Sequence, residues 1–219
     1  MKVTLIAKTS PITEHFPKAD RPWYSPSGLE RIVCSTGKNC TGKFDDKLGV
    51  DEIDKFNHLN VNKLKHDSLL EHYQFTFRIE GISRACSHQL VRHRHLSFSQ
   101  TSQRCISVLG SENPLFDVVI PEKFKDNEEA MVIFAGALAA CKEAYYELRE
   151  LGFKKEDCRS ISPQCHKTDI IVSGNARALK DFFRLRLWGK GVQNEIKVLA
   201  TKMYNIVESY GNFFDEKYS

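Results

Sequence analysis

The densest chemistry in the sequence lies in sixteen residues, Gln89 to Arg104, which read QLVRHRHLSFSQTSQR. They hold three arginines, two histidines, three serines and three glutamines, with a few apolar residues between. Donors crowded at this spacing repel one another unless an anion sits among them, and the planar guanidinium fork binds phosphate oxygens in pairs. The stretch reads as a grip for a phosphorylated ligand. Its residues alone leave open whether that ligand is a small nucleotide or single-stranded RNA. The bland alternative is a solvated basic loop, but interleaving with Ser and Gln beside an apolar helix suits a lined pocket better.

Other chemistry is thin. No G-x-G-x-x-G and no Walker loop occurs, so neither nucleotide fingerprint applies and a Rossmann fold is not expected. His88, His93 and His95 have metal spacing, yet the flanking arginines would repel a cation, so no metal is expected. Cys165-His166 is a candidate nucleophile pair, but adjacent side chains rarely face each other and an inert thiol is the better reading. The seven cysteines are scattered, odd in number and without a C-x-x-C pair, which points to reduced thiols in the cytoplasm. The net charge of +4 suits a small anionic ligand and spreads too thinly for a nucleic-acid face. No run of 18 apolar residues exists, so no membrane helix is expected.

The positioning elements can be read from periodicity. Met1 to Lys8 reads as a strand, and Gly28 to Cys34 as a short helix before a polar loop through Lys47. Ile53, Phe56, Leu59 and Leu64 give helical spacing over residues 51–65. Tyr73, Phe75, Phe77 and Ile79 alternate with polar residues, the pattern of a half-buried strand. Ser83 to Arg92 is helical, which puts Gln89 and Arg92 on one face. Beyond His93 the period changes to loop and strand.

Residues 126–151 carry a broad apolar stripe, with Asp126 as N-cap and Gly152 at the C-terminal end. Asp169 to Ser173 is a strand, and Asn175 caps the helix from Ala176 to Leu187. A last helix runs from about Val192 to Tyr210. With no repeat or linker, the expectation is one α+β domain, residues 1–219, in which helices pack on a mixed, mainly antiparallel sheet.

Arg92-His93-Arg94, followed after seven residues by Ser102, resembles the signature of the flavin-dependent thymidylate synthases. So do Ser83–Val91 and Ser97–Gln100 around it. Three further segments are similar to that family in the same order: His66-Asp67-Ser68 with Glu71-His72, Arg159 with Pro163, and Asn175-Ala176-Arg177 with Asp181 and Leu185-Arg186. Pro163 to His166 is also similar to the nucleophile segment of the cysteine-dependent thymidylate synthases, but no other segment supports that family.

The flavin-dependent resemblance implies methylation of dUMP to dTMP by a homotetramer. Methylenetetrahydrofolate would be the carbon donor, with reducing equivalents from NADPH through bound FAD. It implies a dUMP set of Gln89, Arg92, Gln100, Ser102, Gln103, Arg104, Arg159 and Arg186. A flavin set follows: Ser68, Arg92, His93, Arg94, Gln100, Asn175, Arg177, Asp181 and Leu185, with His66 near the folate. Arg186 takes the catalytic position, because activating uracil C5 builds negative charge that a fixed guanidinium stabilises. No enzyme nucleophile is required, so all seven thiols are dispensable to bond-making.

Four departures stand out. Cys105 replaces a common tyrosine, Gln100 a glutamate found in part of the family, Asp181 an asparagine, and Lys190 a frequent histidine. The competing reading is a binding module for nucleotides or single-stranded RNA built on the arginine cluster.

Overall fold

The computed structural model describes residues 1–11, 26–43, 49–104 and 117–215. Their backbone forms one four-stranded antiparallel sheet in the order β1-β2-β4-β3, with helices around it. The strands are β1 (Lys2–Lys8), β2 (Gln74–Ser83), β3 (Ser97–Gln100) and β4 (Lys167–Asn175). The helices are α1 (Gly28–Cys40), α2 (Val50–Asn57), α3 (Arg84–Leu90), α4 (Glu122–Lys125), α5 (Glu128–Glu150), α6 (Lys155–Cys158), α7 (Ala176–Arg186) and α8 (Asn194–Val207). The expected α+β, non-Rossmann architecture is therefore the one observed.

The chain divides into two compact units. One comprises Met1–Lys2, Ile79–Arg92 and Phe98–Ile171; the other comprises Val3–Arg78, His93–Ser97 and Val172–Ser219.

In the first unit α5 buries Leu138 and Tyr145 against Cys158 of α6, with Phe134, Cys141 and Leu148 packed alongside. That is the expected stripe at i, i+3, i+4 and i+7 spacing. The cap differs by one residue: the Asn127 side chain accepts from the Ala130 amide, while Asp126 ends the short helix α4. Gly152 follows α5 at φ +88°, a left-handed conformation open to glycine at a helix end. The first amides of α3 are tied to the carbonyls of His166 and Gln164, which fixes where its first turn lies.

In the second unit β2 places Tyr73, Phe75 and Phe77 on its inward face, all fully buried. Rings of Phe75, Phe183, Tyr204 and Phe214 pack edge-on within about 6 Å of their neighbours, a geometry that aligns ring edges with ring faces. Helix α1 starts on a reciprocal capping box of Ser27 and Glu30 and runs six residues past the expected end, to Cys40. The helical period expected over 51–65 holds through α2 and then loosens into a π-helical stretch at His58–Lys63. At Gly174 a Cβ would lie 2.2 Å from Leu96 Cδ2, so a larger residue there would displace the Leu96 side chain.

Candidate functional site

Helix α3 presents Arg84, Ser87, His88 and Val91 toward one pocket of about 260 Å³ in the first unit. The spacing i, i+3, i+4, i+7 is what a 3.6-residue period needs to line one face. Gln100, Gln103 and Arg159 complete that wall, so three residues expected for dUMP meet there. Arg84 was not among the expected binding residues. The signal for it was present, since the helical repeat that joins residue 84 to 87, 88 and 91 is legible in the sequence.

The pocket is a cationic site short of partners. The Arg84 guanidinium is held below its ordinary pKa by burial and then by the nearby charge of Arg159. Arg84 Nε, Gln103 Nε2 and Ser162 Oγ are buried and meet no hydrogen-bond partner among the described residues. All three residues line the pocket. Two guanidiniums that repel, beside buried polar groups that want partners, make a donor set that suits a phosphate.

Other residues of the opening stretch lie elsewhere. Arg104 donates from Nε to Glu156 at 2.9 Å, and Ser102 Oγ accepts from the Arg104 amide. Neither lines the pocket. Arg92 is exposed with a terminal nitrogen 3.4 Å from His88 Nε2, and Gln89 is half-buried on α3. Cys105 lies outside the described residues. Burial pushes the Cys165 thiol up and the neighbouring His166 imidazole down, the reverse of an activated nucleophile pair.

The second unit gathers the remaining candidates. Arg186, at the end of α7, donates from Nε to His93 Nε2 at 3.0 Å. The His93 ring stands edge-on to Phe182, with centroids 4.9 Å apart. As an acceptor at Nε2, His93 must be neutral and carry its proton on Nδ1. Burial, reinforced by the Arg186 charge and opposed by Asp181, pushes its pKa down from 6.5 to about 4. The pair leaves the two terminal nitrogens of Arg186 without a protein partner among the described residues, pointing a planar fork at whatever binds there.

A pH dependence follows from that shift. Between pH 6.5 and about 4 the unfolded chain binds a proton at His93 that the folded chain refuses. Stability is therefore complete with respect to this group above pH 6.5 and is lost as pH falls through the window. His166, also shifted down by burial, adds with the same sign. Urea unfolding followed from about pH 8 to about pH 4.5 should show wild-type stability falling more steeply than that of His93→Gln, whose side chain does not titrate.

Helix α7 starts at Asn175, whose side chain accepts from the Ala178 amide, as expected. Arg177 pairs with Glu71 of the 3₁₀ turn Asp67–His72, which also carries Ser68. On the same helix Lys180 is 4% exposed and its ammonium lies 2.7 Å from Asp67. His66 follows Lys65, the one non-glycine residue with positive φ (59°) among the described residues. Asp181 is engaged by Arg184 at 3.3 Å, and Arg94, Leu185 and Lys190 are exposed. Arg177 and the side-chain amide of Asn175, both at the start of α7, are the donors this helix start offers an anionic cofactor.

The family model described as thymidylate synthase complementing protein matches residues 24–210. The flavin-dependent thymidylate synthase of Geobacter sulfurreducens is 37% identical over 208 residues, covering 95% of this chain and 82% of the relative. The enzyme of the same name from Pyrococcus furiosus is 49% identical over 138 residues, which are 63% of this chain and 56% of that relative's length. A crystal structure of thymidylate synthase X from Helicobacter pylori with FAD and dUMP matches 99% of this chain and 98% of its own, with a TM-score of 0.71. At 23% identity that likeness is one of fold.

Proposed function

The chain belongs to the flavin-dependent thymidylate synthase family, and from that premise we propose that it methylates dUMP to dTMP, with methylenetetrahydrofolate as carbon donor and NADPH as reductant. The observation that carries the reading beyond membership is the pocket in which Arg84 and Arg159 repel each other beside buried, partnerless polar groups. The dUMP phosphate would relieve that repulsion and complete those hydrogen bonds.

FAD would be held by Ser68, His93, Arg94, Asn175 and Arg177, and when bound it supplies the redox chemistry. Arg186 supplies electrostatics. Its terminal nitrogens stabilise the negative charge that grows on the N3–C4–O4 side of uracil as C5 attacks, and it need not lose a proton to do so. His93 holds the guanidinium in plane from behind. Ser102 serves binding rather than nucleophilic attack, and His66 stands near the folate.

Residues 1–219 would act as one domain, assembled as a homotetramer; the exposed Val132 and Ile133 on α5 support self-association. A cytoplasmic location accords with the six described cysteines, all free thiols. The RNA-module reading has no support from the family match.

Purified protein incubated with FAD and then freed of unbound flavin should stay yellow, its visible spectrum should shift on addition of dUMP, and the full mixture should yield dTMP. A colourless protein that refuses FAD and forms no dTMP would overturn the assignment.

A further inference from the structure

Among the described residues, one strained non-glycine backbone stands out, and it carries a lysine. Lys65 lies at φ 59°, the left-handed region in which the Cβ of an L-residue crowds the backbone. Glycine takes that conformation freely and asparagine with little strain. Neighbouring hydrogen bonds impose it here. The Leu64 amide donates to the Leu59 carbonyl, the His66 amide to that of Asn60, and the Asp67 amide to that of Lys65 itself at 2.8 Å. The last bond closes an inverse γ-turn over His66, at φ −75° and ψ 61°. The backbone gains nothing from a lysine at this position. What lysine adds over glycine is a long side chain with a charge at its end.

That charge has company. Lys180 repels it and Asp67 attracts it. Asp67 is already engaged by Lys180 at 2.7 Å, and Lys180 is 4% exposed. Of the two lysines only Lys65 stands at the surface, next to the exposed His66. An anion arriving there would ease the repulsion between the two ammoniums.

We propose that Lys65 binds the carboxylates on the glutamyl tail of the folate co-substrate, and that its strained backbone is tolerated because it presents this charge. The proposal rests on the reading of His66 as the residue near the folate. Methylenetetrahydrofolate has an uncharged ring system and carries its negative charge at the far end, on carboxylates. A cation on the residue next to His66, borne on a long side chain, suits that end. The FAD diphosphate has other donors, Arg177 and Asn175 at the start of α7. Lys65 touches no reacting atom in this scheme. It selects the co-substrate and leaves turnover alone.

Steady-state kinetics of the FAD-loaded protein test this with two carbon donors: methylenetetrahydrofolate, and its pteroylamide analogue, which has the same rings but no carboxylate. Wild type should show a KM roughly fivefold lower for the first, the upper worth of one exposed ion pair, with similar kcat. Lys65→Asn suits the left-handed backbone but has no charge. It should narrow the preference to about twofold or less without lowering kcat. Lys65→Arg should keep the preference, because it retains the charge and the strain together. Thermal melting reads the other half of the proposal: Lys65→Asn should melt no lower than wild type, since strain is relieved.

An unchanged preference in Lys65→Asn overturns the proposal, as does its loss in Lys65→Arg. A lower melting temperature in Lys65→Asn overturns it too, by making Lys65 a structural contact. So does a weakened preference for NADPH over NADH in place of the folate effect, which would give the lysine to the 2′-phosphate. Wild type that forms no dTMP from either carbon donor would instead remove the reading of the reaction on which the proposal stands.

Discussion

Arg186→Lys is expected to lower turnover by about two orders of magnitude or more while keeping part of the affinity for dUMP, the loss typical of removing one preorganised donor from developing charge. Three things go with the guanidinium. The Nε–H bond to His93 is lost, and with it the contact that holds the side chain in plane. The paired terminal nitrogens become a single ammonium, which cannot meet two adjacent acceptors on the uracil edge at once. The ammonium is also more strongly hydrated, so it keeps water where the site gains by excluding it. The charge itself survives, and it is the charge that helps hold an anionic nucleotide. Hence kcat should fall far more than the dUMP dissociation constant rises, a split read by steady-state rates alongside calorimetry. Near-normal turnover would remove Arg186 from the catalytic role.

Asp67→Ala should destabilise the protein by about 3–5 kcal/mol, because it strands a buried ammonium. Lys180 is 4% exposed, and Asp67 at 2.7 Å is its ion-pair partner. Desolvating an ammonium is tolerable only while an anion stays beside it. For a chain of this size that loss corresponds to a melting temperature lower by roughly 10 °C. The double variant Asp67→Asn with Lys180→Met removes both charges, and most of the stability should return. A drop of less than about 1 kcal/mol in Asp67→Ala would mean that the pair behaves as an ordinary surface bridge. Asp67 opens the turn that carries Ser68 and Glu71, and Glu71 holds Arg177. FAD affinity should therefore fall with stability in Asp67→Ala.

Much of the frame is legible from local pattern. The alternation from Tyr73 to Ile79 is a strand because period two puts every second side chain on one face, and those faces are buried. Asn175 announces α7, since its short side chain can satisfy an amide three residues on. Ser27 and Glu30 announce α1 with the same kind of spacing. Where the reading slips, the local pattern fits two answers. The π-helical turn at His58–Lys63 keeps an apolar spacing that an α-helix would also satisfy, so periodicity cannot separate the two. Asp126 and Asn127 are both good caps, and only the end of α4 decides between them.

By itself the sequence determined the family, the order of the elements and the residue types gathered for chemistry. Those depend on spacing along the chain, which is one-dimensional information. Which donors are free to meet a ligand was decided only in three dimensions. Arg104 and Arg84 look alike in the sequence, but Arg104 is paired with Glu156 while Arg84 is half-buried beside the charge of Arg159. Gln100 reads as an amide that could offer either end, and in the fold its nitrogen meets the hydroxyls of Ser87 and Thr168. The reason is physical: a side chain's chemistry is set by what its polar atoms have already spent on neighbours, and most of those neighbours lie dozens of residues away.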